Sequence, residues 1–263
     1  MGARAIAVTA AAIAAGTGVL PASGAPTLAW DLIATRPHDP DAFTQGLVAY
    51  RGSLLESTGD CCDPSRPDSS VRRVNPRNGR VLAIRHIPAP IFAEGLTVLA
   101  GTAWQLTWTD HVAYRVAPMT LSRRGTSPYP REGWGLTTDG RRLVASDGTA
   151  MLRWLAPPRL TVIRTVVVRD GARPVRWLNE LEMLSGLIWA NVWQEDRVAL
   201  IRPADGWVVG WLDLSALRPR LASGGEVLNG IARDPVTGHV LVTGKRWDRM
   251  FVIRLRVPVP GAA

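Results

Sequence analysis

The chain has 263 residues, 46% of them hydrophobic and 20% charged, enough for one large domain or two small ones around a real core. That composition excludes a disordered chain, a collagen and a coiled coil. A formal net charge of +9 suits an anionic partner, but the arginines are scattered singly or in pairs with no basic block. This is the pattern of a generally positive surface, and no nucleic-acid partner is expected.

From the amino terminus, Met-Gly-Ala-Arg leads into the apolar run Ala5 to Leu20 and then Pro21-Ala22-Ser23-Gly24. Residues 1–24 thus carry the charged, apolar and small-residue regions of a secretory leader, and the mature chain is expected to start near Ala25 in an exported, periplasmic or secreted protein. The run falls short of the roughly 20 apolar residues that span a bilayer, and no later stretch is long enough. No membrane association is therefore expected once the leader is gone. Cys61 and Cys62 are free to pair with each other or with another molecule in an oxidising compartment. Adjacent cysteines make at best a strained clip, and no chemistry is assigned to them.

From residue 25 onward, 25 glycines and 20 prolines in the whole chain punctuate short Val/Ile/Leu/Trp runs, which reads as many strands joined by tight turns. One triplet recurs at intervals of about 40 to 50 residues: Gln45-Gly46-Leu47, Glu94-Gly95-Leu96, Trp134-Gly135-Leu136, Asn179-Glu180-Leu181 and Asn229-Gly230-Ile231. Each is followed by a glycine turn and a second apolar segment, the mark of a repeated hairpin. Third runs come next at Val71–Val74, Val112–Val116, Met151–Leu155, Arg197–Ile201 and Met250–Leu255. Fourth runs follow in the first four repeats only, at Arg80–Ile87, Thr120–Arg124, Leu160–Val168 and Trp207–Leu214. Four antiparallel strands per repeat is the propeller period. The expectation is an all-β, five-bladed β-propeller over residues 25–263, with Thr27–Thr35 supplying the missing strand of the last blade and closing the ring.

Equivalent positions of a propeller converge on its channel. The first triplet position therefore predicts a ring of Gln45, Glu94, Trp134, Asn179 and Asn229, and counting seven residues on from each glycine turn gives Gly59, Trp108, Asp147, Trp193 and Lys245 at one rim. In the ring, Glu94 is the sole carboxylate, and Ile91-Phe92-Ala93 leading into it should desolvate it and raise its proton affinity. Lys245 is the only lysine among 31 basic residues, which hints at a site needing a compact ammonium. Trp154, Trp207 and Trp211 read as packing between blades, whereas Trp108, Trp134, Trp193 and Trp247 lie beside polar residues where an indole can wall a pocket. Asn229 serves equally well as a partner for neighbouring turns, and Asp147-Gly148 equally well as a turn. No HExxH, CxxC or GxSxG spacing occurs, and the four histidines are far apart in sequence, so neither metal nor cofactor is expected.

These residues resemble the plant and bacterial glutamine cyclotransferase family, the glutaminyl-peptide cyclotransferases of papaya-latex type. The matching segments run in the family's order from Phe43-Thr-Gln-Gly-Leu47 and Glu56-Ser-Thr-Gly59 through Phe92-Ala-Glu-Gly-Leu-Thr97, Gln105-Leu-Thr-Trp108 and Glu132-Gly-Trp-Gly-Leu-Thr137. They continue with Ser146-Asp-Gly-Thr149, Leu178-Asn-Glu-Leu-Glu182, Ala190-Asn-Val-Trp193, Leu228-Asn-Gly-Ile-Ala232 and Thr243-Gly-Lys-Arg-Trp247. The resemblance implies a five-bladed propeller that cyclises the N-terminal glutamine of a peptide or protein to pyroglutamate with loss of ammonia. It implies Glu94 as acid and base, Phe43, Trp108, Trp134 and Trp193 as pocket walls, and Gln45, Asn179 and Lys245 as groups that bind or polarise the substrate. The chain departs from the pattern after Gly59, where Asp-Cys-Cys-Asp-Pro-Ser-Arg-Pro-Asp is longer and more polar, and at Ala156-Pro-Pro, which replaces an acidic turn. Such a reaction is intramolecular, so it needs orientation and proton transfer but no covalent nucleophile. A monomer is the expected state. The alternatives are a secreted propeller that binds peptides or sugars in an aromatic pocket without turnover, and a metal-dependent hydrolase of the lactonase kind, for which the ring holds too few carboxylates.

Overall fold

A computed structural model describes residues 24–60, 69–222 and 224–257; the expected leader, up to Ser23, and the pair Cys61 and Cys62 lie outside them. Five four-stranded antiparallel sheets are arranged as blades, and each innermost strand neighbours those of the blades on either side until the fifth meets the first. From the axis outward, blade 1 is Thr44–Tyr50, Ser53–Thr58, Ser70–Val74 and Val81–His86, and blade 2 is Ala93–Leu99, Thr102–Thr107, Val112–Val116 and Arg123–Pro128. Blade 3 is Leu136–Thr138, Leu143–Ala145, Met151–Ala156 and Thr161–Val167; blade 4 is Leu178–Leu184, Leu187–Val192, Arg197–Ile201 and Val208–Asp213. Blade 5 is Leu228–Arg233, Val240–Gly244, Arg249–Leu255 and, from the amino terminus, Trp30–Pro37. One expected strand is corrected. The run Thr120–Arg124 starts too early: Leu121 N–H donates to Ala117 O (2.7 Å) at a positive φ of 57°, and the outer strand of blade 2 begins only at Arg123.

Strand alternation places the apolar side chains on both faces of every inner strand, so each blade must be covered on both sides. The core accordingly divides into five clusters, one in each gap between blades. Leu55 and Val71 meet Leu96 and Val116 between the first two blades, while Leu241 and Val252 of the fifth meet Leu47 and Leu54 of the first. Trp154 and Trp211 fill the gap between blades 3 and 4 as expected of inter-blade packing. Fully burying each such side chain contributes about 1.5–3 kcal/mol.

In four of the five blades the recurring triplet is a β-bulge. Pairing registers slip between Thr44 and Gly46, between Ala93 and Leu96, between Leu178 and Leu181, and between Leu228 and Ile231. A bulge re-aims the side chains beside it, here toward one mouth of the channel. Neighbouring backbones approach so closely at the second triplet position that a side chain is excluded: a Cβ on Gly46 would lie 2.4 Å from Leu96 N, and one on Gly95 would lie 2.5 Å from Leu136 N. Blade 4 has Glu180 there instead. Its carboxyl crosses the channel to accept from Leu47 N (3.3 Å) in blade 1 and Ile231 N (2.9 Å) in blade 5.

Ring closure combines a sheet ladder with buried charges. Trp30 to Pro37 pairs antiparallel with Leu255 to Arg249, slightly C-terminal to the expected segment. Ahead of it, Leu28 N donates to Trp211 O (2.8 Å), so the same chain also straps blade 4. Arg36 makes a fork to Asp234 (2.8 Å on each arm) and reaches Pro76 O in blade 1 (2.8 Å), and His38 bridges Trp247 O (2.7 Å) to Glu56 (3.0 Å). Removing residues 24–37 should expose the Arg249–Leu255 edge and cause aggregation, and Arg36→Ala, which leaves Asp234 held only by Val236 N, Thr237 N and Thr237 Oγ1, should cost about 1.5–3 kcal/mol in urea denaturation. An unchanged midpoint would show that the fork contributes nothing to closure.

Below the mouth, Glu182 accepts from Thr137 Oγ1 (3.4 Å), and burial pushes its carboxyl up to about 8 against hydrogen bonds that lower it. A raised acid binds its proton more tightly in the folded state. Its stabilisation is present below the ordinary 4.5 and is lost as pH climbs through about 8. Glu182→Gln should therefore flatten the loss of stability between about pH 4.5 and 8 in denaturation curves; a slope equal to the parent's across that range would assign the loss elsewhere.

Candidate active site

The mouth is built where each innermost strand starts and its hairpin partner ends. Antiparallel pairing sets Ala93 opposite Thr107, Leu178 opposite Val192 and Leu228 opposite Gly244. The residues just past those partners are Trp108, Trp193 and Lys245, so the two sequence sets converge on one end. They enclose a cavity of about 310 Å³ lined by Phe43, Gln45, Phe92, Glu94, Trp108, Trp134, Asn179, Trp193 and Lys245. A larger cavity of about 420 Å³ between blades 4 and 5 is lined by Trp189, Arg233, His239 and Arg254 among others, and brings in no carboxyl group to work with a base.

The floor is polar and buried. Asn229 donates from Nδ2 to Thr44 O (2.9 Å) and to Gln45 Oε1 (3.3 Å), which turns Gln45 so that its Nε2 donates to Glu94 Oε1 (3.2 Å). This chain leaves Oε2 as the Glu94 oxygen free to carry an exchangeable proton. Burial holds the Glu94 carboxyl well above the usual carboxylate range; Lys245 opposes the shift and Glu132 adds to it. Asn179 is 3% exposed and its Oδ1 has no partner among the described residues. An acceptor stranded this way is costly unless a ligand supplies the donor. Lys245 is buried too, which lowers its proton affinity against the pull of Glu94 and Glu226. Its Nζ rests 4.6 Å from the centre of the Phe43 ring. The neighbouring cation, Arg246, is neutralised by Glu226 (2.8 Å) and Asp60 (3.1 Å).

Aromatic rings form the wall. Phe92 meets Phe43 and Trp108 edge to face (6.0 and 5.9 Å), and Trp134, Trp177 and Trp193 form a triangle with centroids 5.4 to 6.3 Å apart. Trp177 is 51% exposed and sits at φ 63°, a costly conformation for a bulky residue, pinned by its N–H to Gly148 O (2.7 Å) and by Trp193 N to its carbonyl (2.8 Å).

Eight of the nine expected site residues line this cavity. Trp247 does not. The turn at Arg246, with φ 57°, folds the indole beneath the sheet, where it is fully buried against Gly244 and Phe251 and donates to Glu226 O (3.0 Å). Of the remaining ring and rim positions, Asn229 lies behind Gln45, Asp147 is occupied by Thr149 (2.5 Å) and Arg153, and Gly59 leaves room for the Phe92 ring. Phe92, Glu132 and Trp177 are additions. They stand two residues before the first triplet position of their blades, as Phe43 does, and the strand period of two was the signal that could have found them. Among the described residues no three His, Cys, Asp or Glu side chains are grouped to hold a metal ion, and no helix is long and apolar enough to cross a membrane.

Known proteins resemble this chain in sequence and fold. The chain is 40% identical over 232 residues to a glutaminyl-peptide cyclotransferase of Arabidopsis thaliana, covering 86% of this chain and 71% of the relative. The solved structure of glutaminyl cyclase from Myxococcus xanthus superposes with a TM-score of 0.80 at 36% identity, covering 88% of this chain and 98% of that one. With the model of the glutamine cyclotransferase family matching residues 3–255, nearly the whole length, the chain belongs to that family.

Proposed function

We propose that this propeller is a glutaminyl-peptide cyclotransferase, which converts the N-terminal glutamine of a peptide or protein to pyroglutamate and releases ammonia. The observation that carries the reading is the buried Glu94 carboxyl, oriented by Gln45 at the floor of an aromatic cavity and flanked by an unpaired amide oxygen and an ammonium.

The aromatic wall takes the methylene stem of the glutamine and excludes water. Asn179 Oδ1 accepts an N–H of the neutral α-amine and aims its lone pair at the γ-carbonyl carbon. As the new N–C bond forms, the carbonyl electron pair moves onto oxygen, where the Lys245 ammonium stabilises it. Glu94 Oε2 gives its proton to the γ-nitrogen, the old C–N bond breaks as the oxyanion collapses, and ammonia leaves. The Glu94 carboxylate then takes one proton from the ring nitrogen and is ready for another turn. No covalent intermediate, cofactor or metal ion takes part, and holding amine and amide in contact supplies much of the acceleration. The enzyme acts as a monomer.

The direct test incubates the purified protein with Gln-Ala and follows ammonia release, which should survive exhaustive chelation. Glu94→Gln keeps size and hydrogen bonding but removes the acid proton; kcat should fall by roughly 10²–10⁴-fold with KM little changed. Lys245→Arg keeps the charge yet should also weaken turnover, because a planar guanidinium cannot take the ammonium's place. Near-parental kcat in Glu94→Gln would move the acid to another residue.

The amino-terminal segment supports export of this enzyme, with cleavage between about Ala22 and Ala25. Sequencing the amino terminus of exported material should find one of these residues first; soluble cytoplasmic protein that retains Met1 would sink the idea.

A further inference from the structure

Glu132 stands in the connection between blades 2 and 3, at a position forced by its neighbour. Gly133 N donates to Trp108 O (3.0 Å), and a Cβ on Gly133 would come within 2.7 Å of Thr107 O, so the backbone lies flat against the end of the second strand of blade 2. Residue 132 is thereby held beside Trp108, and residue 134 beside the Trp177 and Trp193 indoles. From there the Glu132 Oε1 oxygen accepts the indole N–H of Trp108 and that of Trp134 (2.9 Å) together. One carboxylate oxygen thus joins two walls of the cavity that belong to different blades. Its other oxygen has no partner among the described residues, and the side chain is exposed at the mouth.

We propose that Glu132 is a positioning residue for cyclisation, a clamp that fixes the Trp108 and Trp134 indoles through one oxygen and sets a negative charge over the cavity that holds Glu94. The proposal rests on the cyclotransferase reading. A wall made of indoles alone is free to rotate, since Trp108 is 43% exposed and meets only the edge of Phe92. A charge-assisted hydrogen bond to each N–H removes that freedom before substrate arrives. The charge has a second consequence. Around Glu94 the charged groups are Lys245, which favours its carboxylate, and Glu132, which favours its acid form; Lys245 in turn faces Glu226, and Arg246 across the Phe43 ring is neutralised by Glu226 and Asp60. Glu132 therefore favours the acid form of Glu94, the form that can donate to the leaving nitrogen while a neutral amine attacks.

Two substitutions separate the roles. Glu132→Gln keeps an oxygen that accepts both indole N–H groups but carries no charge, so KM should stay near the parental value. The alkaline limb of the kcat profile should move to lower pH by roughly half a unit, a modest shift because the group is exposed and screened. Glu132→Ala loses the clamp as well. It should raise KM by roughly three- to tenfold and weaken the exciton band of the coupled Trp134, Trp177 and Trp193 indoles in circular dichroism, a signal Glu132→Gln retains. Superimposable pH profiles for parent and Glu132→Gln would overturn the electrostatic role, and an unchanged exciton band and KM in Glu132→Ala would overturn the clamp. A parent protein that does not cyclise Gln-Ala at all would instead refute the proposed function, and the exciton band would still report on the clamp.

Discussion

Everything at the mouth depends on how closely the five innermost strands crowd the axis. Backbone meets backbone there at the second triplet position of the first three blades, where at Gly46, Gly95 and Gly135 the space for a Cβ is already occupied. In four of the five blades the innermost strand bulges at this point, and the bulge turns the first triplet position toward one end of the channel. Antiparallel pairing then delivers the ends of the second strands to that same end. A packing constraint so produces a ring of side chains at one mouth, where Asn229, Gln45 and Glu94 of three neighbouring blades meet in one hydrogen-bonded chain. Glu180 is informative as the departure: with a side chain at the crowded position, its carboxyl becomes a cross-channel tie between blades 1, 4 and 5.

Burial pushes four carboxyl groups in the same direction, toward the acid form, and their partners decide whether the net shift follows. Glu56 has Arg72 (2.8 Å) and His38 (3.0 Å), and although burial works against its charge these cations hold it well below the usual range. Glu180 receives only backbone N–H groups and also feels Glu182, so burial wins and its carboxyl is pushed up. Glu94 lies between these cases. A lysine is near enough to act on it but forms no ion pair with it among the described residues, and Glu132 acts in the other sense. Glu56 is thus paired with cations and Glu180 and Glu182 are held toward the acid form, whereas Glu94 alone of these four lines the aromatic cavity.

Much of this was legible in the chain because a propeller repeats. Five copies of one triplet announced the blade number, and the absence of a fourth run after Met250–Leu255 announced closure from the amino terminus. Counting along the repeats also brought Gln45, Glu94, Trp134 and Asn179 together with Trp108, Trp193 and Lys245. The features that escaped the reading depend on single backbone angles. Leu121 at positive φ delays a strand, Arg246 at positive φ turns Trp247 inward, and Trp177 at positive φ throws an indole out over the mouth. None of these residues is of a type that favours such angles, so local sequence carries no warning, and only the surrounding hydrogen bonds impose them.

The cavity's shape bears on why the end of a chain, and not its middle, would be the substrate. At about 310 Å³ it stands at the small end of ligand pockets, which span about 300–1,000 Å³. Its floor is closed by Glu94, Gln45 and Asn179, with Asn229 behind them, so a polypeptide cannot thread through. An entering group has one way in and must end in atoms that satisfy an unpaired acceptor and a protonated acid. A terminal amine folded back on its own side-chain amide meets that description, with an apolar stem between for the rings to grip. The rest of the substrate chain has to leave across Trp108 and Trp177, the two most exposed rings of the mouth. Tolerance for varied second and third substrate residues is the physical consequence, since those rings offer faces and no hydrogen-bonded pocket.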